Sequence, residues 1–277
     1  MLIKYRTVSY SGVKPDERVV KEFIFDGTLE SLRRIQFLKS SPDSDSLIDL
    51  TTQDFGGRLF PMDQFQPIYK SESHYAMFAR PELVARLKTM LSVLPESLGV
   101  AVYEAFRPVS LQQSYFISKA VELGHQHPDW DNHRLYDETS KWVAPFLDGS
   151  IPPHCTGAAI DLVLVDLGNN ELLDMGKFGV LWGENKVAAT LADGLTPMQK
   201  QNRLHLIKAA FNAGLKNYAK EYWHLSYGDQ MWGALTNNLA LFGPVMKPEF
   251  DPNLHTICKS KEELMQMIRV KISEQVL

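Results

Sequence analysis

The sequence predicts an α+β fold, a mainly antiparallel sheet flanked by helices, and three observations point there. Its candidate strands and helices do not alternate regularly, which argues against a doubly wound parallel sheet. Residues 160–165 and 171–173 flank Asp166-Leu167-Gly168-Asn169-Asn170, a hairpin signal that joins antiparallel neighbours. Several helix starts are also legible, each with its own capping or proline signal.

The elements follow in order. Phe23-Ile24-Phe25 reads as a short strand and residues 31–38 as a helix. The polar run Ser40-Ser41-Pro42-Asp43-Ser44-Asp45-Ser46 is the clearest boundary in the chain. Residues 1–46 are therefore expected to be an N-terminal extension packed on a core, with too little apolar surface to fold alone. Residues 47–51 read as a strand and Phe55-Gly56-Gly57-Arg58 as a turn. Pro81 opens a helix at its favoured first-turn position, carried on by Leu83, Leu87, Met90 or Leu91, and Leu94, with Pro95 beyond its end. Residues 99–106 alternate like a strand that ends at Arg107-Pro108, and 111–123 read as a second helix. Residues 124–153 read as mostly loop, rich in Trp, His, Asp and Pro. Thr196-Pro197-Met198-Gln199 is a capping box whose helix is expected to turn Leu204, Ile207 and Phe211 inward and to end near Gly214. Residues 218–227 are aromatic-rich and strand-like. A second capping box, Ser260-Lys261-Glu262-Glu263, opens a helix with Leu264, Met267, Ile268 and Ile272 on one face, inside a C-terminal extension spanning 233–277.

Composition narrows the class. The chain has 277 residues, 44% hydrophobic and 22% charged, ordinary for a globular enzyme with a sizeable core. A net charge of −4 gives no electrostatic reason to expect nucleic acid or an anionic membrane as partner. No stretch reaches the ~18 consecutive apolar residues of a membrane span. Cys155 and Cys258 make no disulfide framework, and the opening Met-Leu-Ile-Lys-Tyr-Arg-Thr-Val lacks the apolar core of a signal peptide. The expectation is a cytoplasmic protein.

Chemistry concentrates in three stretches. In Ser150-Ile151-Pro152-Pro153-His154-Cys155-Thr156-Gly157-Ala158-Ala159-Ile160-Asp161, two prolines stiffen the approach to His154, and Gly157 to Ala159 allow close packing. Asp161 then stands at the start of an apolar strand, where burying its charge costs several kcal/mol without compensation. A divalent metal shared with His154 would compensate it, and so would hydrogen bonds from backbone amides. In Glu221-Tyr222-Trp223-His224, the histidine completes a His-Asp-His set of three ligands, the number that leaves a zinc one open position. Glu221 would stand by as a non-ligand general base, or else be a solvated charge beside Lys216 and Lys220. Residues three apart on a regular strand face opposite sides, so both can reach one metal only if a bend or strand end intervenes. In Glu104-Ala105-Phe106-Arg107-Pro108, Arg107 is either a donor to a polarised carbonyl or a surface arginine.

Taken in order, the three stretches resemble the D-alanyl-D-alanine dipeptidase family, zinc peptidases with the fold shared by D,D-peptidases and the Hedgehog signalling domain. That family's pattern is Arg-Pro after a strand, then His-x-x-Gly-x-Ala-[Ile/Val]-Asp, then Glu-x-Trp-His. Here these are Arg107-Pro108, His154 to Asp161 and Glu221 to His224. Leu173-Asp174-Met175-Gly176, Asn202-Arg203-Leu204 before Gly214-Leu215, and Thr51-Thr52-Gln53-Asp54-Phe55-Gly56-Gly57 are similar to weaker family features. The resemblance covers residues 47–232 and implies a zinc peptidase core there. It implies one zinc per chain on His154, Asp161 and His224, with Glu221 as general base and Arg107 as oxyanion donor. The implied reaction is hydrolysis of a small D-amino-acid peptide, D-Ala-D-Ala first among candidates. Two alternatives are a D,D-carboxypeptidase or amidase on longer cell-wall peptides, and a non-catalytic zinc-stabilised binding module. Retention of Glu221 and Arg107 argues against the last, since a structural zinc needs neither. Two positions depart from the pattern. Gly179 stands where dipeptidases carry an aspartate for the substrate's ammonium, with Glu184 or Asp174 as the nearest substitutes. Pro152 stands where a hydroxyl residue is usual, with Ser150 and Thr156 nearby.

Overall fold

The computed structural model describes residues 24–25, 45–147, 149–176 and 187–274. The expected helix at 31–38, residues 40–44 of the linker, and both Gly179 and Glu184 lie outside them.

In chain order the regular elements are β1 (Ile24–Phe25), β2 (Ile48–Asp49), β3 (Leu59–Pro61), β4 (Phe78–Ala79), α1 (Pro81–Val93), β5 (Leu98–Glu104), α2 (Val109–Gln126) and α3 (Asn132–Ser140). They continue as β6 (Ala159–Asp166), β7 (Glu171–Leu172), α4 (Pro197–Asn212), β8 (Lys216–Tyr218), β9 (Glu221–Ser226), α5 (Gln230–Thr236) and α6 (Lys261–Glu274). Among the described residues the main sheet runs β1-β8-β9-β6-β5-β3, with β7 folded back on β6. Its interior pairings are antiparallel, and the two outermost, β1 with β8 and β3 with β5, are parallel. The expected α+β class with a mainly antiparallel sheet is what forms.

β6 is the axis of this sheet. Its residues from Ala159 to Val165 are all buried, as an unbroken apolar run flanked on both edges requires. The 166–170 turn brings β7 back beside it, Val165 opposite Leu172, as the hairpin signal implied. One core joins β5, β6 and β9 to α1, through Leu83, Leu87 and Met90, and to α4, through Leu206, Ile207 and Ala210. A second cluster is built by α2, α3 and α6, where Phe116, Ala120, Leu135, Tyr136, Leu264 and Ile268 meet.

Four local expectations change. Residues 124–153 contain α3, started by Asp131 accepting from Arg134 N at 2.8 Å and anchored by Leu135 and Tyr136. Two apolar residues on an otherwise polar helix leave little periodic signal. The 47–51 strand is shorter, giving way to a 3-10 turn at Leu50–Thr52. The 218–227 strand is the end of one strand and the whole of the next, turning at Ala219 and Lys220. The inward face of α4 carries Asn202, Arg203, Leu206 and Ile207, with Leu204 and Phe211 only half-buried. Arg203 turns inward because it donates to Met175 O, Val187 O and Ala189 O while its guanidinium lies over the Tyr222 ring.

The segments on either side of 47–232 are tied into this body. Ile24 pairs with Asn217 at one sheet edge. Phe250 packs its ring against Tyr75, Phe78 and Phe106. Buried Asp251 accepts from Ser110 N and Ser110 Oγ at the start of α2. Among the described residues no helix is long and apolar enough to cross a membrane.

Candidate metal centre

The site is a row across three strands. Glu104 on β5, Asp161 on β6 and His224 on β9 are register partners, so their side chains leave the same face of the sheet. Both ladders flanking β6 are disturbed at this level. The β5–β6 register slips between Val102 and Glu104, and the β8–β9 register slips between Asn217 and Tyr218. In the second slip Glu221 opposes Tyr218 while Leu225 opposes Asn217, so Tyr222, Trp223 and His224 have no residue of β8 opposite them. A bulge of that kind re-aims side chains. Here it lies between Glu221 and His224, where the sequence called for a bend or strand end.

His154 arrives from a different element, the 3-10 turn Pro153–Thr156. Gly157 closes that turn at φ +68°, where a Cβ would stand 2.5 Å from Leu47 Cδ2. Its carbonyls are all engaged. His154 O accepts from Arg107 N, Cys155 O from Val245 N, Thr156 O from Arg80 Nε, Gly157 O from Arg80 N, and Ala158 O from Tyr227 N. Buried Arg80 is paired in turn with Asp45 at 2.7 Å. Thr156, a candidate for the missing hydroxyl, spends its Oγ1 on Pro153 O and Ala158 N within the turn.

The result is a buried triangle. His154 Nε2 lies 3.1 Å from His224 Nδ1, His224 Nδ1 2.9 Å from Asp161 Oδ1, and His154 Nε2 3.2 Å from Asp161 Oδ1. These three residues form the group able to hold a metal ion among the described residues. The outer nitrogens decide which lone pairs face inward. His154 Nδ1–H donates to Ala105 O at 3.0 Å, since a carbonyl can only accept, and His224 Nε2 pairs with Ser226 Oγ at 3.2 Å, an oxygen able to accept its hydrogen. The inner nitrogen of His154 is then an acceptor, and with the His224 hydrogen on Nε2 both inner nitrogens are acceptors beside a carboxylate oxygen, an arrangement that suits a cation. Tetrahedral zinc with bonds of about 2.0–2.1 Å has ligand–ligand edges of about 3.3 Å, so the triangle fits one face. Burial opposes ionisation of Asp161, but the two imidazoles outweigh it and hold its carboxyl below the usual range. Burial likewise opposes charging His154, and Asp161 more than offsets it, raising its pKa.

Glu221 is half-buried at the start of β9 and feels the charges of Asp161, His224, His154 and Arg107. Burial, reinforced by Asp161, pushes its pKa up. Arg107 is held flat by its neighbours: Nε and Nη2 donate to Glu104 Oε2, Nη1 donates to Gln112 Oε1 at 2.8 Å, and the Tyr115 ring lies beneath. Glu104 is itself braced by Ser71 Oγ at 2.9 Å. Burial works against the guanidinium's charge, yet Glu104 outweighs it and raises the pKa. Three of the five guanidinium N–H groups are used by these bonds, which leaves two.

Sequence reasoning missed the supports. Glu104 and Gln112 hold Arg107; Ala105 O sets the His154 tautomer and Ser226 Oγ pairs with the His224 ring; and Asn217 bridges the β9 bulge. Only the Glu104-x-x-Arg107 spacing at a strand end offered a signal. Asp174, a candidate for the ammonium partner, is exposed and accepts from Gly176 N and Gln199 Nε2. Cys155 is buried, and burial pushes its thiol pKa up, which suits a packing role. His133 lies on α3 paired with Asp137, and His127 stacks on Trp130.

The profile of the D-Ala-D-Ala dipeptidase family, peptidase M15, matches residues 77–241. A D-alanyl-D-alanine dipeptidase of Synechocystis is 26% identical over 199 residues, 62% of this chain and 77% of that protein. One from Enterococcus faecium is 35% identical over 144 residues, 52% of this chain and 69% of that protein. The solved structure of VanYB in complex with D-alanine-D-alanine aligns over 59% of this chain and 80% of its own, at 13% identity and a TM-score of 0.33.

Proposed function

Since this chain belongs to the D-Ala-D-Ala dipeptidase family, we propose that it is a zinc peptidase that hydrolyses D-Ala-D-Ala. The observation that carries this is the buried triangle of His154, Asp161 and His224, with the His154 lone pair turned inward. These three residues would hold one zinc per chain. When bound, the metal supplies Lewis acidity to the scissile carbonyl and to water. The chain's own groups do the rest. Glu221 takes a proton from the attacking water on its carboxylate as the new C–O bond forms, and returns it to the departing amine when the resulting intermediate collapses and the peptide C–N bond breaks. The raised pKa of Glu221 suits that shuttle, because a stronger base accepts the proton more readily. Arg107 donates its remaining N–H groups to the oxyanion of the tetrahedral intermediate, from a geometry preset by Glu104 and Gln112. Residues 47–232 make up the peptidase core in this reading, and the segments outside it act as braces. A cytoplasmic setting belongs to the same proposal, supported by two buried, unpaired cysteines.

A second reading, a D,D-carboxypeptidase on longer peptides, is favoured by Gly179, which offers no carboxylate for a free ammonium. One assay of the zinc-loaded protein separates the two: kcat/KM on D-Ala-D-Ala, N-acetyl-D-Ala-D-Ala and L-Ala-L-Ala. The dipeptidase reading expects turnover of the first and none of the third. An N-acetyl substrate cleaved more than about tenfold faster, a preference of about 1.4 kcal/mol, would transfer the assignment to the carboxypeptidase. No hydrolysis of either D,D-substrate would end both.

A further inference from the structure

Asn217 is buried on β8 at the point where the ladder with β9 breaks. With Tyr222, Trp223 and His224 unopposed, the carbonyls along this part of β9 lack the N–H partners that a regular ladder would offer. The Asn217 carboxamide takes their place. Its Nδ2 donates to Glu221 O at 3.0 Å, Tyr222 O at 3.2 Å and His224 O at 2.9 Å. Two hydrogens serve three acceptors, so one bond is shared. The amide's orientation is also set, because Thr190 Oγ1–H donates to Asn217 Oδ1 at 2.5 Å and leaves the nitrogen end facing the bulge.

We infer that Asn217 is a positioning residue that fixes the bulged segment in the one shape that brings Glu221 and His224 to the same side. Its contacts are to backbone at both ends of that segment, so it governs the metal-holding imidazole and the proton-shuttling carboxylate together. Glutamine alone shares both the paired donors and the acceptor, and its extra methylene would carry them out of register with the bulge and with Thr190. The inference rests on the function proposed above for its kinetic arm alone.

The test combines zinc affinity by chelator competition, kcat and KM on D-Ala-D-Ala at saturating zinc, and melting temperature. Asn217→Ala is expected to weaken zinc by about 10–100-fold, the range seen when a partner behind a ligand is lost. Its kcat at saturating zinc should fall by about 100-fold, as for a catalytic group displaced by about 1 Å, with KM changed less than about threefold. Thr190→Val, which removes only the hydroxyl that orients the amide, should show the same pattern more weakly and keeps the fold if Asn217→Ala does not. Ile268→Ala, in the separate cluster of α2, α3 and α6, serves as the stability control and should lower the melting temperature with zinc affinity and kcat kept within about twofold. Zinc affinity and kcat within about twofold of the parent in both Asn217→Ala and Thr190→Val would overturn the inference. So would matching losses in Ile268→Ala. Should the unaltered protein bind zinc but hydrolyse no D-Ala-D-Ala, the proposed function fails by itself and the zinc arm still decides the role of Asn217. Absence of zinc binding in the unaltered protein overturns both.

Discussion

Glu221 and His224 are three positions apart on one strand, and the proposed chemistry depends on their pointing the same way. Replacing Glu221 with Gln keeps the shape and removes the proposed base. Glu221→Gln should retain zinc and its melting temperature while kcat falls by about 10²–10⁴-fold, the usual contribution of general acid–base catalysis. Unchanged kcat would take the proton shuttle away from Glu221. Each of His154→Ala, Asp161→Ala and His224→Ala removes one corner of the triangle and should abolish tight zinc binding, read by metal analysis after dialysis against a weak chelator. Full occupancy in all three variants would remove the centre from these residues. Residues that bear chemistry were legible in the sequence because their types are scarce in apolar surroundings: an aspartate entering an apolar strand, a histidine after two prolines. Asn217 and Ser226 were not, since their importance comes from a register slip and a ring tautomer, neither of which has a residue-type signature. Ala105 contributes only a carbonyl, which every residue possesses.

The turn that delivers His154 shows how an element holds a side chain in place. Gly157 sits in the left-handed region, and a Cβ there would press on Leu47 Cδ2 at 2.5 Å. Gly157→Ala therefore carries a conformational cost of about 1–2 kcal/mol together with a packing clash. Unfolding in denaturant should show a loss at least that large, and adding Leu47→Ala should relieve the clash while leaving the conformational part. Full recovery in the double variant would mean that backbone conformation contributes nothing. Elements with strong local codes were read correctly: Pro81 starts α1, and Thr196 with Gln199 closes a reciprocal cap on α4. The strand carrying Glu221 was merged with its neighbour because Ala219 and Lys220 bear no turn signature. On α4 the inward face was rotated because a buried arginine, satisfied by three carbonyls, counts as polar in any hydrophobic pattern.

At the scale of the whole molecule, the site is braced from both directions along the chain. Asp45 holds Arg80, Arg80 holds the carbonyls of Thr156 and Gly157, and Val245 holds that of Cys155. Asp45→Ala leaves a buried guanidinium without its carboxylate, a change that costs about 3–5 kcal/mol. The loss should appear in equilibrium unfolding, and a change under about 1 kcal/mol would show that solvent already screens the pair. These long-range ties were invisible in the sequence, since nothing local to Asp45 or Val245 names a partner so far along the chain.

The place of β6 between β5 and β9 bears on how the protein is made. Synthesis proceeds from the N-terminus, so β5 and β6 leave the ribosome as a pair while β9 is still unmade. Until residues 221–226 emerge, the start of β6 from Ala159 to Asp161, which β7 does not cover, presents an unsatisfied edge of the kind that seeks strands on other chains. The nascent chain is thus most at risk over the interval between these strands, and metal can enter only at its close, because His224 is the last corner of the triangle to be translated. Protection of the exposed strand and completion of the metal site therefore fall at the same stage of synthesis.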